Sequence, residues 1–170
     1  DRLDDGLEVT AATEEDISEM RRIYRGEPVR WIRPPADYQQ AIDGWAMNRR
    51  ARTYLIRLDG HLRAFAVLEV PESDETEQIR LLDFAGDRSC LSGALGKLVR
   101  DQKVGQMNVH VMGYDLLFQS LLRDRGLEGS PASTSGTVLV ANFVQMMERL
   151  RPYFEEMLGK AGRGLIFEEC

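Results

Sequence analysis

Residues 7–13, LEVTAAT, alternate apolar and polar side chains, the two-residue period of a strand with one buried face. The period then lengthens. Ile17, Met20, Ile23 and Tyr24 recur every three to four residues and predict a first helix, with Thr13 and Asp16 spaced for a capping box at its start. Gly26 closes that helix, and EPVRWIRPP predicts an extended loop, because paired prolines disfavour helix in what precedes them. Tyr38, Ala41, Ile42, Trp45 and Ala46 form an apolar stripe that predicts a second amphipathic helix.

Two β-rich runs, TYLIRL and HLRAFAVLEV, flank Asp59-Gly60, a dipeptide suited to the positive φ angles of a tight hairpin turn. The polar stretch 71–78 predicts an exposed connection. A strand follows at 79–84, IRLLDF, and Leu91, Ala94, Leu95, Leu98 and Val99 supply the apolar face of a helix after it. Met107, Val109 and Val111 alternate as a further strand. Leu117, Phe118, Leu121 and Leu122 predict a last helix of this region, ending at Gly126, a natural C′ glycine. After a loop at 128–136, TVLVANF (137–143) predicts one more strand. The order β α α β β β α β α β, a meander followed by β-α-β-α-β, predicts an α/β (α+β) fold: a mixed, mostly antiparallel central sheet with helices on both faces.

Composition narrows the setting. The chain has 170 residues, 43% of them hydrophobic and 29% charged, which suits one substantial core with a small appendage. No apolar run approaches the length that crosses a membrane. The net charge of −6 argues against a nucleic-acid surface, although Arg21, Arg22, Arg25, Arg30 and Arg33 cluster around the first loop. Cys90 and Cys170 lie eighty residues apart, and His61 and His110 are the only histidines, so neither a disulfide framework nor a metal site is expected. A reducing cytoplasm is the expected setting. The chain opens on Asp1 without an initiator Met or a secretory signal, the expectation for a piece of a longer protein.

IRLLDFAGDRSCLSGALGKLV, followed by NVHV and YDLLFQSLLRDRGL, together with the element order from about 7 to 143, resembles the Gcn5-related N-acetyltransferase (GNAT) family. DFAGDRSCLSGAL looks most like the second acetyltransferase-like domain of tandem GNAT proteins, and residues 142–169 look like the linker helix and first strand of the sterol-carrier-protein-like domain that often follows it. The expected organisation is therefore a GNAT-like domain over 1–143 and a C-terminal helix and strand over 144–170.

The resemblance implies a pyrophosphate-binding turn for acetyl-CoA, in which amides at a helix N-terminus hold the anion and glycines allow close approach. Arg88, Ser92 and Gly93 occupy the matching positions. Leu91 stands where the family has its first glycine, and Asp87 adds a negative charge that either repels a diphosphate or caps the helix. The family's acid is a Tyr four residues before the glycine that ends the last helix. Here that position is Leu122, and the Asn that often begins the helix is replaced by Asp115. Asp83 and Tyr114 remain as candidates for acid–base work, Asp83 with the alternative of an ion pair to an arginine. His110, the thiol of Cys90, and Trp31 and Trp45 as slot linings are further candidates, each with a plain packing or solvent role as its alternative.

What the family implies is transfer of an acetyl group from acetyl-CoA to a primary amine, without a metal. The departures at Leu91, Asp87 and Leu122 favour a degenerate, non-catalytic copy within a larger acetyltransferase. Its partner would be a neighbouring catalytic GNAT domain, with no nucleic acid or membrane and with self-association left open. An active acyltransferase acting on a small-molecule amine, and an interaction or ligand-binding module on the same fold, are the alternatives.

Overall fold

The structure, a computed structural model, describes residues 6–70, 78–101, 105–127, 129–130 and 143–159. The chain divides into two compact units, Asp1–Gly129 and Ser130–Cys170.

In the first unit the strands β1 (Leu7–Ala11), β2 (Trp45–Ala46), β3 (Arg49–Leu58), β4 (His61–Glu69), β5 (Gln78–Gly86) and β6 (Gln106–Val109) alternate with the helices α1 (Ile17–Tyr24), α2 (Pro35–Ile42), α3 (Arg88–Asp101) and α4 (Leu116–Asp124). The sheet order is β1-β3-β4-β5-β6, with β2 pairing the start of β3. Every pairing is antiparallel except β5 with β6, which is parallel. Asp59 and Gly60 join β3 to β4 at φ of 52° and 76°, the turn whose twist matches the strands it connects.

Alternation along the strands divides the core in two. Tyr54, Ile56, Ala64, Ala66, Leu68, Ile79 and Leu81 face α3 and α4, where they meet Leu91, Leu95, Leu98 and Phe118. Leu55, Phe65, Val67 and Ala85 face the other way, onto Met20 and Tyr24 of α1 and Tyr38 of α2. Each fully buried Leu or Phe contributes roughly 1.5–3 kcal/mol, and Phe65, Phe118, Leu91 and Leu98 all belong to that class.

One irregularity positions the chemistry. Val67 pairs with Asp83 but Leu68 pairs with Leu81, so Leu82 is an extra residue in β5, a β-bulge. An unbroken strand would send Asp83 to the same face as Ile79 and Leu81. The inserted residue reverses the alternation, so Asp83 joins the α1 and α2 side while Phe84 packs against Phe118 with ring centroids 5.2 Å apart.

Several expected boundaries shift. The second helix ends at Ile42, not at Ala46, because Gly44 adopts φ +100° and ends the helical path. Trp45 and Ala46 form β2 and pair across a hairpin with Arg50 and Arg49. The first helix is preceded by a 3₁₀ turn at Glu14–Asp16, and there the Thr13 amide donates to the Asp16 carboxylate at 2.9 Å. β6 stops at Val109, so Val111 and His110 lie beyond it, His110 exposed. The strand expected over 137–143 lies outside the described residues except for Phe143, which opens a helix, and the strand expected near the C-terminus lies wholly outside them.

The second unit contributes one described helix, α5 (Phe143–Leu158), with Pro152 in its interior and an ion pair of 2.6 Å between Arg151 and Glu148.

Candidate functional site

β5 reaches α3 through Gly86 and Asp87. Gly86 has φ +102°, and a Cβ placed there would lie 2.2 Å from the Arg63 carbonyl oxygen and 2.8 Å from the Ala64 Cα, so only glycine fits. The Asp87 amide donates to that same Arg63 oxygen at 2.9 Å, locking the turn against β4.

A helix leaves its first amides without partners. Here Asp87 takes them. Its Oδ1 accepts from the amides of Ser89 and Cys90 at 2.8 and 3.0 Å, and its carbonyl oxygen accepts from Leu91 at 3.0 Å. The negative charge that the helix end favours therefore comes from the chain's own side chain.

Arg88 turns inward. Its two terminal nitrogens donate to Glu27 at 2.9 and 2.6 Å, and its Nε donates to Asp115 at 2.7 Å. The guanidinium also donates to the Gly86 carbonyl at 2.8 Å and lies 5.0 Å from the Phe84 ring centroid. Glu27 accepts from the Gly86 amide at 2.7 Å as well. Asp115 has a second task, capping α4 through the Phe118 amide at 3.1 Å. The side chains of Arg88, Glu27 and Asp115 are only 10–11% exposed.

Three carboxylates surround this turn: Glu27 and Asp115 hold the Arg88 guanidinium, and Asp87 caps α3. A diphosphate placed here would meet like charge, amides at 89 to 91 already bonded, and an arginine already engaged. The residues present do not fit it.

The remaining candidates scatter. Ser92 is buried within α3, and its Oγ accepts from Arg125 Nε at 2.8 Å. Gly93 lies in the second turn of α3, past the amides a helix leaves free. Leu91 is fully buried in the core that α3 forms with the sheet. Leu122 is buried too, and its carbonyl accepts from the Leu127 amide at 3.0 Å around Gly126 (φ +78°), a Schellman close to α4.

Asp83 stands on the opposite face of the sheet, hydrogen-bonded to Arg33, whose guanidinium lies 4.4 Å from the Tyr24 ring centroid. Burial pushes the Asp83 carboxyl above its usual range, and the Arg33 guanidinium opposes that rise. Tyr114 does reach the Arg88 side. It is half exposed and lines a cleft of about 430 Å³ with Ile23, Pro28, Arg88, Leu116 and Leu117. Its phenol is raised by burial first and then by the Glu27 and Asp115 carboxylates, so it holds its proton. Cys90 is buried, and desolvation with the nearby Asp87 carboxylate pushes its thiol up, the opposite of a reactive thiolate. Trp31 and Trp45 are both exposed, and neither lines the Tyr114 cleft.

The structure thus brings Arg88, Asp115 and Tyr114 to one cleft and leaves Ser92, Gly93 and Asp83 outside it. Glu27 is the residue sequence reasoning missed. It lies in a loop crowded with arginines and carries no local signal, since its partner comes from a distant helix. Among the described residues no group of side chains is arranged to hold a metal ion, and no helix is long and apolar enough to cross a membrane.

A scan against protein-family models finds no match, and a search of curated proteins finds no significant relative. Solved structures do match. An aminoglycoside acetyltransferase from an uncultured soil metagenomic sample, in complex with sisomicin, aligns over 81% of this chain and 99% of its own, with 13% identity and a TM-score of 0.56. A protein from Thermus thermophilus aligns over 79% of this chain and 99% of its own, with 18% identity and a TM-score of 0.55. The ribosomal-protein-S18-alanine N-acetyltransferase from Escherichia coli covers 74% of this chain and 79% of its own, with 14% identity and a TM-score of 0.52. At such identities the likeness is one of fold: the chain has a GNAT-like acetyltransferase fold.

Proposed function

We propose that this chain is a non-catalytic GNAT-fold domain within a larger N-acetyltransferase, where it packs against a catalytic domain and helps to shape that domain's substrate pocket. The observation that carries this reading is the internal occupation of the turn, with Asp87 on the α3 amides and Arg88 held by Glu27 and Asp115. Acetyl-CoA and a primary amine are then the reactants of the parent enzyme, not ligands of this domain. Trp31 and Ile32 on the loop between α1 and α2, 75% and 102% exposed, support a packing role, since large apolar side chains left in water mark contact surfaces. A reducing cytoplasm suits a chain with two cysteines, one of them buried as a free thiol. A tandem arrangement with a sterol-carrier-like domain after α5 belongs to the same proposal.

Isothermal titration of this chain with acetyl-CoA tests it. No heat at millimolar ligand is the expected result. Saturable binding that weakens on Arg88→Glu overturns it.

One feature favours a second reading, an active acyltransferase. β5 and β6 pair only as far as Leu81 and Val109, while β5 runs on to Gly86, which leaves a gap between the strands of the kind that admits an extended ligand. On that reading a bound amine attacks the thioester directly, a β5 amide polarises the carbonyl, and positioning supplies most of the rate. Arg88 would first have to leave Glu27.

A further inference from the structure

A second concavity of about 290 Å³ lies at the other end of the sheet, where α2 gives way to β2. Its lining includes Asp43, Gly44, Trp45, Arg50 and Arg52. Trp45 and Arg50 are directly opposed across the β2–β3 pair, so their side chains share a face. Arg52 stands two residues along β3 and takes the same side. Both arginines are exposed, and neither has an ion-pair partner among the described residues. Trp45 is 50% exposed, and among the described residues no guanidinium stacks on its indole. Arg49, by contrast, points from the alternate side of β3 and pairs with Glu69 at 2.5 Å.

The hairpin that presents this face is held in an uncommon shape. Its two turn residues, Met47 and Asn48, both adopt positive φ, 49° and 59°, although neither is glycine. Asn tolerates that region well and Met poorly, so the turn is strained at Met47. The Gly44 carbonyl accepts from the Ala51 amide at 2.8 Å, and the Arg50 carbonyl accepts from the Val70 amide at 2.9 Å, so the hairpin is anchored on both sides. Asp43 supplies one carboxylate to the lining, and its Oδ1 already accepts from Gln39 at 3.0 Å. Among the described residues of the lining, two guanidiniums face one carboxylate, on a chain of net charge −6.

We infer that this concavity is a binding site for a small anion carrying a flat aromatic ring, of the chemical class of a nucleoside monophosphate. The ring stacks on the Trp45 indole, and the anionic group takes the donor forks of Arg50 and Arg52, the geometry in which arginine binds phosphate best. The volume lies at the lower bound of ligand pockets, which suits a small ligand of which one edge stays in water.

The chain has two tryptophans, so Trp31→Phe leaves Trp45 as the only indole and makes its fluorescence a direct report on this face. In that background the protein is titrated with AMP, adenosine and ribose 5-phosphate, with circular dichroism confirming the fold of each variant. Saturable quenching by AMP is expected, with adenosine and ribose 5-phosphate each bound about tenfold or more weakly. The Arg50→Gln/Arg52→Gln double variant, changed at two exposed positions, is expected to keep its fold and lose AMP binding. Lack of saturation at millimolar AMP overturns the inference. So does ribose 5-phosphate binding as tightly as AMP, which would leave the indole without a role, or equal AMP binding by the double variant. The titration is independent of any binding of acetyl-CoA at the α3 turn.

Discussion

Arg88 and Glu27, 61 residues apart in sequence, meet through two hydrogen bonds of 2.9 and 2.6 Å with both side chains nearly buried. That contact ties the loop after α1 to the start of α3. Glu27→Gln keeps an acceptor for the Gly86 amide but removes one of the two carboxylate charges that hold the guanidinium. Asp115 still compensates the buried guanidinium, so the loss is that of a charge-assisted hydrogen bond, about 1.5–3 kcal/mol. Urea unfolding should show a loss of that order, and a midpoint unchanged from the parent would show that the pair contributes nothing.

Asp87 separates capping from charge. Asp87→Ala leaves the Ser89 and Cys90 amides without their acceptor and should cost ~1 kcal/mol. Asn caps nearly as well as Asp, so Asp87→Asn should stay within about 0.5 kcal/mol of the parent. Thermal unfolding of the two variants side by side decides this, and equal losses would refute the capping role.

Gly86 leaves no room for error. The 2.2 Å approach to the Arg63 oxygen is to backbone, which cannot swing aside as a side chain can. Added to the positive φ, it makes Gly86→Ala cost ~3 kcal/mol or more. We expect a large fall in melting temperature, with poor recovery of soluble protein as the extreme outcome, and a variant as stable as the parent would contradict the turn described here.

The buried thiol of Cys90 predicts an alkaline limb. Its pKa is raised from 9.0 by burial and by Asp87, so the folded chain keeps a proton that the unfolded chain releases. Stability from this group is complete below about pH 9 and falls as the pH rises through the folded value. The Tyr38 phenol, also raised by burial, adds a loss of the same sign from about pH 10 upward. Cys90→Ala should flatten the decline just above pH 9 in urea midpoints measured across that range. A slope identical to the parent's would assign the limb elsewhere.

Local signals carry much of the fold. Asp59-Gly60 announces the first long hairpin, and the spacing of Leu91, Leu95 and Leu98 announces the buried face of α3. The sequence also allows Asp87 to cap a helix or repel an anion, and the structure uses it as a cap. What stays hidden is pairwise. The apolar spacing of Tyr38, Ala41 and Ile42 continues through Trp45 and Ala46, and only the conformation of Gly44 cuts the helix there. The face that Asp83 occupies depends on the extra residue Leu82, which becomes visible only in register with β4. Glu27 is silent because nothing near it in sequence marks it as the partner of an arginine on a distant helix.

The buried arrangement of Arg88, Glu27 and Asp115 also bears on how this domain can change over generations. Opening a free guanidinium and free helix amides requires altering Glu27, Asp87 and Asp115, and Leu91 is bound into the core besides. Each step taken alone strands a charge, uncaps a helix or opens a hole, at costs from ~1 kcal/mol for the cap upward, set against the ~5–15 kcal/mol that keeps a domain folded. A path to an open anion site therefore descends before it rises, and the arrangement resists stepwise change.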